Sequence, residues 1–421
     1  MESEAMTGLK KYTSEWLAAD YILALLILLF PAYNRLMPIL IVFLGLSLLR
    51  ERKGLKEFSS LFNFRSPFLW FVVFYSTHVM GLLYSTDLSY AYTDLGIKAS
   101  FIILPVLLAW ANWKMSMRQV IDLLLSGLFA ACLVAYGYAV FRSIYNQEDN
   151  HWAYFTESYF SFFMHRSYFA TYLALGTLLA VNRYFTSRSR LWIFLALLFS
   201  VSTVLTFSKA GIILLFMIMI PMVIILSARH YSIKVGLVLS GLTVAGVVVM
   251  FTAIPTIKVR FSKMIEGATK VRTVNNPTIE SSASRAIMWS TAMGLFSENV
   301  VIGVGTGDVS NALDERNLEL GNTGVAEKSL NAHNQYLNTA VQLGLAGLIP
   351  LLLIFITSFV RAVKTKLIEG ILLTLILFLT LMFESFLETQ AGIIPVTLLL
   401  LLFFSISRAN ETSHTHPILS T

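Results

Sequence analysis

Charged side chains are scarce in this chain: they make up 13% of its 421 residues, whereas hydrophobic residues make up 56%. A soluble domain averages about 25% charged residues, so this composition argues against a water-soluble domain and predicts an integral membrane protein surrounded by membrane lipids. The net charge is +7, but the basic residues are spread along short connections and form no single patch. We therefore expect no nucleic-acid partner.

Other features are missing as well. Cys132 is the one cysteine, which excludes an internal disulfide. No histidine, cysteine or carboxylate spacing matches a metal site, and we expect neither a metal nor another cofactor. There is no convincing internal repeat and no nucleotide-binding domain, which excludes transport driven by ATP hydrolysis. The first apolar run leads to no small-residue cleavage site, so we expect it to remain as an anchor.

Long continuous apolar runs are the main feature that is present. About 20 apolar residues cross a bilayer, and only helices or closed barrels satisfy the backbone there. Because the runs are continuous instead of alternating, they predict an all-α polytopic protein with about 12 transmembrane helices. The first two are short and form either a tight hairpin or one span with a broken partner. The predicted spans are 17–33, 36–50, 67–84, 96–112, 119–143, 167–183, 191–207, 210–227, 233–254, 336–360, 368–386 and 391–407.

The distribution of lysine and arginine predicts the orientation. Five alternate connections hold 15 of these residues, and the five connections on the opposite side hold 3. Both termini are therefore expected in the cytoplasm, and the long loops 144–166 and 255–335 outside. The basic connections are 50–65, 113–118, 183–190, 228–234 and 361–366, and the opposite ones are 31–35, 84–95, 144–166, 208–209 and 387–390.

The spans divide the chain into four parts. Residues 1–254 hold spans one to nine, 255–335 form the long outer loop with short helices, 336–407 hold the last three spans, and 408–421 form a polar, disordered tail. Within the loop, 281–299 predicts an amphipathic helix that packs on the membrane domain. Its apolar stripe is formed by residues four apart, namely Met288, Ala292 and Phe296, with Trp289 and Met293 beside them.

His333 is placed where the tenth span begins. The ordinary imidazole pKa of about 6.5 suits proton transfer near neutral pH. The first turn of a helix carries partial positive charge, which disfavours imidazolium and attracts anions such as phosphate. We therefore expect a neutral His333 that serves as a base. The alternative is a polar residue that only marks the end of a span.

Further candidates lie on the same predicted side of the membrane. Arg285 is in the loop helix, Lys209 is at the turn between spans seven and eight, and Arg166 closes the other outer loop. Lys209 and Arg166 have a second interpretation, as cations that extend to the interface from a helix end. Glu384 and Glu388 are four residues apart, which predicts one shared helix face near the outer end of the eleventh span, with interfacial residues as the alternative.

A glycine-rich stretch, Gly303 to Gly307, lies in the same loop. The sequence around it does not predict the strand and helix that flank a phosphate-binding loop, so a flexible turn is the better interpretation.

Two segments resemble the bacterial O-antigen ligase and polymerase family. In His333-Asn334, nine residues and then Gly344-Leu345-Ala346-Gly347, the chain is similar to the family's histidine signature, although Leu348-Ile349 replaces the usual two threonines. Ser284-Arg285, Trp289 and Gly303 to Gly307 look like its outer-loop segment. Ser208-Lys209-Ala210-Gly211 falls where the family has Ser-Arg-Gly, and this lysine keeps the charge but loses the planar fork of arginine.

The resemblance implies a GT-C-type glycosyltransferase of the bacterial inner membrane, inverting and independent of metal. It would transfer a glycan from an undecaprenyl pyrophosphate carrier to a lipid A-core acceptor at the periplasmic face. His333 would be the catalytic base. Arg285, Lys209 and Arg166 would bind the pyrophosphate, and Glu384, Glu388 or Asn334 would orient the histidine or the acceptor. Gly344 and Gly347 are interpreted as sites where helices approach closely.

Three alternatives remain at this point. An O-antigen polymerase joins donor glycans to one another, and a protein O-oligosaccharyltransferase of the same family glycosylates a protein. A polytopic lipid or sugar transporter also accommodates twelve spans. Against a transporter, the chain lacks repeated halves and has few ionisable residues deep in its spans.

Overall fold

A computed structural model describes residues 16–49, 58–111, 113–146, 151–253 and 281–415. Each of the twelve predicted apolar runs falls on a helix. Within these described residues, six helices are long and apolar enough to cross a bilayer, and five shorter apolar helices accompany them. The protein is therefore an all-α polytopic membrane protein, as the sequence predicts, while the number of twelve crossings stays a prediction.

The helices are α1 (Ala18–Leu29), α2 (Met37–Ser47), α3 (Pro67–Gly81), α4 (Leu88–Lys98), α5 (Ser100–Trp110), α6 (Met117–Tyr145), α7 (Glu157–Phe160), α8 (Arg166–Ser187), α9 (Arg190–Leu205), α10 (Lys209–His230), α11 (Ile233–Ala253), α12 (Ser281–Glu298), α13 (Val309–Glu319), α14 (Thr323–Ala326), α15 (Gln335–Lys364), α16 (Ile368–Thr380) and α17 (Gln390–Thr415). Short 3₁₀ helices occur at Asn34–Leu36, Leu82–Tyr84, His151–Phe155 and Phe386–Glu388.

The structure corrects two predicted connections. Residues 84–95, expected as a loop, contain most of α4. Asp87 caps this helix by accepting a hydrogen bond from the backbone N–H of Tyr90 at 2.9 Å, which satisfies one of the N–H groups that a helix start leaves without a partner. The tail from Arg408, expected to be disordered, continues α17 as far as Thr415, and 416–421 lie outside the described residues.

The end of the eleventh predicted span is also different. α16 ends at Thr380, and 381–389 form a turn followed by the 3₁₀ helix Phe386–Glu388. The sequence hides this break because Leu381, Met382 and Phe383 continue the apolar run. Glu384 and Glu388 therefore do not share the face of an α-helix, and the prediction that they do is wrong.

The described part of the outer loop is folded against the membrane helices, while 255–280 lie outside the described residues. On α12, Met288 and Ala292 are buried in a small apolar core that also includes Val341 of α15. The predicted stripe is partly wrong, because Met293 is 53% exposed and Leu295 is buried instead.

α8 is almost wholly enclosed by its neighbours. It packs against α9, α10 and α16, and its buried positions include both apolar residues and small polar ones. Gly211 near the start of α10 permits a close approach, because a Cβ there would lie 2.5 Å from the Cβ of Ala170. The first turns of α8 and α10 are thereby held side by side, and Ser167 of α8 contacts Glu384 in the turn that follows α16.

Candidate functional site

Glu384 is the centre of a cluster formed by four separate segments. Its carboxylate accepts a hydrogen bond from Nη2 of Arg285 at 2.6 Å and from Oγ of Ser167 at 2.9 Å. Nδ1 of His333 lies 3.6 Å from the second carboxylate oxygen. Glu384 therefore joins α12, the first turn of α8 and the start of α15.

Exposure within this cluster is graded. The side chain of Glu384 is 7% exposed, that of Arg285 22% and that of His333 30%. The carboxylate is thus covered by its partners, whereas the imidazole and the guanidinium both reach solvent. Since Nδ1 of His333 is the ring nitrogen nearest to Glu384, Nε2 is the nitrogen that remains for exchanging a proton with a substrate.

Charge and hydrogen bonding keep Glu384 ionised. Burial alone would raise the pKa of its carboxyl, but the interaction with His333, the charge of Arg285 and the bond from Ser167 outweigh burial, and the pKa is lowered from its ordinary value. A carboxylate at neutral pH is the form that accepts hydrogen bonds from both neighbours.

The backbone around His333 holds the imidazole in place. His333 has φ +46°, a left-handed conformation that non-glycine residues adopt rarely and that costs about 1–2 kcal/mol. Its N–H donates to Oδ1 of Asn331 at 3.0 Å, and the N–H of Gln335 donates to the carbonyl of Leu381 at 2.8 Å.

Asn334 caps α15, accepting from the N–H groups of Tyr336 and Leu337. Its side chain is therefore used for capping.

The other two predicted cations stand at the N-terminal ends of α8 and α10. Arg166 begins α8 directly before Ser167, and its Nη1 is 3.6 Å from the carboxylate of Glu157. Lys209 is half-buried at the start of α10, whose first turn packs on α8 through Gly211 and Ala170.

His165 precedes Arg166 as the N-cap residue of α8. Burial lowers the pKa of its imidazole, the charge of Glu384 opposes that shift, and the charges of Arg166 and Arg285 add to it. In the sequence analysis, His165 stands beside Arg166 at the end of the outer loop, but neither His165 nor Ser167 is given a role. The position of His165 next to Arg166 was the signal available.

Glu388 belongs to a second, buried cluster. Its carboxylate accepts hydrogen bonds from Nζ of Lys98 at 2.8 Å and from Nε2 of Gln335 at 2.7 Å. Lys98 also donates to Asp94 at 2.5 Å, and its side chain is completely buried. The structure thus brings Glu384, but not Glu388, into contact with His333. The i,i+4 spacing of Asp94 and Lys98 was the sequence signal that could have indicated this ion pair.

Residues 194–352 match the family model described as O-antigen ligase. This matched segment, which covers less than half of the chain, is similar to the O-antigen ligase family. A comparison with curated proteins found no match. The match includes Lys209, Arg285 and His333, whereas Ser167 and Glu384 lie outside it. This similarity supports an O-antigen ligase- or polymerase-type activity, a glycosyltransferase-like ligation that involves a lipid-linked glycan.

Gly344, which belongs to the motif that resembles the family's histidine signature, breaks helix α15. Gly344 has φ +60° and ψ −153° within α15, and a Cβ there would lie 2.5 Å from the carbonyl group of Val301. The break leaves backbone N–H and carbonyl groups of α15 without partners inside the helix, and the loop 300–305 supplies these partners. The N–H of Leu345 donates to the carbonyl of Val300, and the N–H groups of Val304 and Gly305 donate to the carbonyls of 341 and 342. Close approach at Gly344 is thus between a helix and a loop.

The glycine-rich turn at 303–307 is held firmly, which corrects the prediction of a flexible turn. Thr306 donates to the carbonyl of His78 at 2.7 Å, and the N–H of Gly307 donates to Ser85 at 2.9 Å. Each backbone N–H from 303 to 307 has a protein acceptor, so this turn offers no N–H group to a phosphate. No group of three or more metal-ligating His, Cys, Asp or Glu side chains occurs among the residues that the structure describes.

Proposed function

We propose that the protein is an O-antigen ligase that transfers a glycan from undecaprenyl pyrophosphate to a lipid A-core acceptor at the periplasmic face of the bacterial inner membrane. The observation that supports this most strongly is the cluster at Glu384, which holds an accessible imidazole and an accessible guanidinium against one carboxylate. The imidazole can take a proton, while the guanidinium stabilises negative charge.

The reaction is a direct displacement at the anomeric carbon of the donor glycan. The oxygen of the acceptor hydroxyl forms a bond to this carbon, and the bond from the carbon to the pyrophosphate oxygen breaks. Its electron pair leaves with undecaprenyl pyrophosphate, and the hydroxyl proton passes to Nε2 of His333. Displacement from the opposite face inverts the anomeric configuration.

Each group of the cluster has a part in this step. His333 is the general base, a role commonly worth about 100- to 10,000-fold in rate. Glu384 orients the imidazole through Nδ1 and stabilises the imidazolium that forms, as a carboxylate does in other base–carboxylate pairs. Arg285 has five N–H donors, of which Glu384 engages one at Nη2. The others bind the departing pyrophosphate, with Lys209 and Arg166 as further cations.

The test is a reconstitution of the purified full chain in detergent with a lipid-linked glycan donor and separate acceptors. Product formed with lipid A-core, but not with a second donor molecule or a protein, supports the ligase. Product formed only between donor molecules would identify a polymerase, and product formed only on a protein would identify an O-oligosaccharyltransferase. Absence of product with all three would contradict the transferase proposal and favour a transporter.

A further inference from the structure

A cleft of about 560 Å³ lies at the end of the molecule opposite to the Glu384 cluster. α15 shows this arrangement directly, because its first residue follows His333 and Asn334 whereas its last turn, with Arg361 and Lys364, lines the cleft. The remaining walls come from 63–65, before α3, and from Phe404 and Arg408 of α17. The charge distribution among the connections predicts the cytoplasmic side for this end.

The lining of the cleft combines two chemistries. Four cations line it, and among the residues that the structure describes it has no carboxylate; the cations are Arg65, Arg361, Lys364 and Arg408. The other wall is apolar and runs along α15 to α17, with Leu353, Ile356, Val360 and Phe404. Ile356 is 51% exposed and Val360 44%, so this wall opens to the surroundings of the helix bundle. An inorganic anion would need only the cations, whereas a lipid with a negatively charged headgroup needs both the cations and the apolar wall.

Two of the cations are fixed by the protein. Arg361 donates to the carbonyl of Ser407 at 2.9 Å, and its guanidinium lies 5.8 Å from the ring centroid of Phe404. Arg408 donates to the carbonyl and the hydroxyl of Ser60 at 3.0 and 3.1 Å. These bonds tie the last turn of α15 to α17, and α17 to the segment before α3. Arg65 and Lys364 are exposed, so their charges are open to a ligand.

We propose that this cleft binds the phosphate headgroup of an anionic phospholipid from the membrane leaflet opposite to the candidate active site. The headgroup phosphate lies among the four cations, and an acyl chain follows the apolar wall formed by Leu353, Ile356 and Val360. Basic pockets between helices on the cytoplasmic side bind anionic headgroups by the same combination of forces. This site is independent of the glycan chemistry proposed above.

The experiment is native mass spectrometry of the full chain in detergent, titrated with phosphatidylglycerol or with phosphatidylcholine of the same chain length. The test variant is the double substitution Arg65→Gln and Lys364→Gln. It removes two exposed charges, and it breaks none of the described side-chain hydrogen bonds. The control is Lys234→Gln, because Lys234 is also an exposed cation and lies at the predicted cytoplasmic start of α11. Size-exclusion chromatography checks that each variant is folded.

The wild type and Lys234→Gln should retain phosphatidylglycerol in preference to phosphatidylcholine. The double variant should bind phosphatidylglycerol more weakly, by about five-fold for each cation removed. Equal affinity of the double variant and the wild type would overturn the proposal. So would equal binding of the two lipids by the wild type, or the same loss in Lys234→Gln, since the effect would then not belong to the cleft.

Discussion

Glu384 and Glu388 are four residues apart in one short segment, yet their surroundings differ. Glu384 contacts an arginine and a histidine that are 22% and 30% exposed, whereas Glu388 contacts a lysine that is completely buried. Two carboxylate–cation pairs of similar composition therefore have different roles in the protein. The accessible pair can meet a substrate, and the enclosed pair can only hold protein segments together.

The segment between α16 and α17 connects the two clusters. Gln335 donates to Glu388 and accepts from the N–H of Leu387, and it is two residues beyond His333. The buried cluster thus fixes the turn on which Glu384 stands as well as the start of α15. The Glu384 cluster is therefore accessible to a substrate, whereas the Glu388 cluster supports the protein structure around it. Each of the following substitutions tests this difference.

The largest effect is expected for His333→Ala. Removing the base should lower the rate of glycan transfer by about 100- to 10,000-fold while the protein still inserts and purifies normally. The measurement is transfer by the reconstituted protein with lipid-linked donor and acceptor. His151→Ala is the matched control, since His151 is an exposed histidine of the other outer loop. Normal transfer by well-folded His333→Ala would remove His333 from the chemistry.

Lys98→Met should act on stability. It leaves Asp94 and Glu388 buried without their shared cation, and breaking a buried ion pair in this way costs about 3–5 kcal/mol in the free energy of unfolding. The midpoint of thermal unfolding in detergent, followed by tryptophan fluorescence, should fall well below that of the wild type. Lys234→Met, at an exposed site, should leave it unchanged. Equal midpoints for the two variants would mean that the buried cluster supports nothing.

Arg285→Ala should raise the activation free energy of transfer by about 3 kcal/mol and so lower the rate about 100-fold, because the cation that stabilises the departing pyrophosphate is lost. Arg285→Lys should fall between this variant and the wild type, since lysine keeps the charge without the planar fork. Single-turnover rates with the lipid-linked donor provide the measurement. An unchanged rate in Arg285→Ala would refute the pyrophosphate role.

Lys209 should give the smallest effect of the series. Lys209→Arg should retain activity, and Lys209→Ala should lose about tenfold, the value of one charge-assisted hydrogen bond. The same transfer assay measures both variants. If Lys209→Ala and Lys209→Arg have equal rates, Lys209 does not contribute to the site.

The positions of the helices could be predicted because long apolar runs specify them directly. His333 and Lys209 could be selected because they stand at the ends of such runs, and Arg285 because it lies in the predicted loop helix and in a segment that resembles the ligase family. Lys98 was not selected, since its run was interpreted as a span that begins at 96 and its partner Asp94 as part of a loop. The contact between Glu384 and His333 depends on the break after Thr380, which apolar neighbours conceal. Likewise, the left-handed backbone at Gly344 depends on the loop that packs against it.

The most direct test compares the same isosteric change at the two glutamates, Glu384→Gln and Glu388→Gln, with transfer rate and unfolding midpoint measured on each protein. Glu384→Gln should lose about 100-fold in rate, because the imidazole is no longer held in its reactive position, and should keep a midpoint close to that of the wild type. Glu388→Gln should lower the midpoint and keep the wild-type rate below its unfolding transition. If the two variants exchange these effects, or if both lose only stability, the assignment of chemistry to the Glu384 cluster is contradicted.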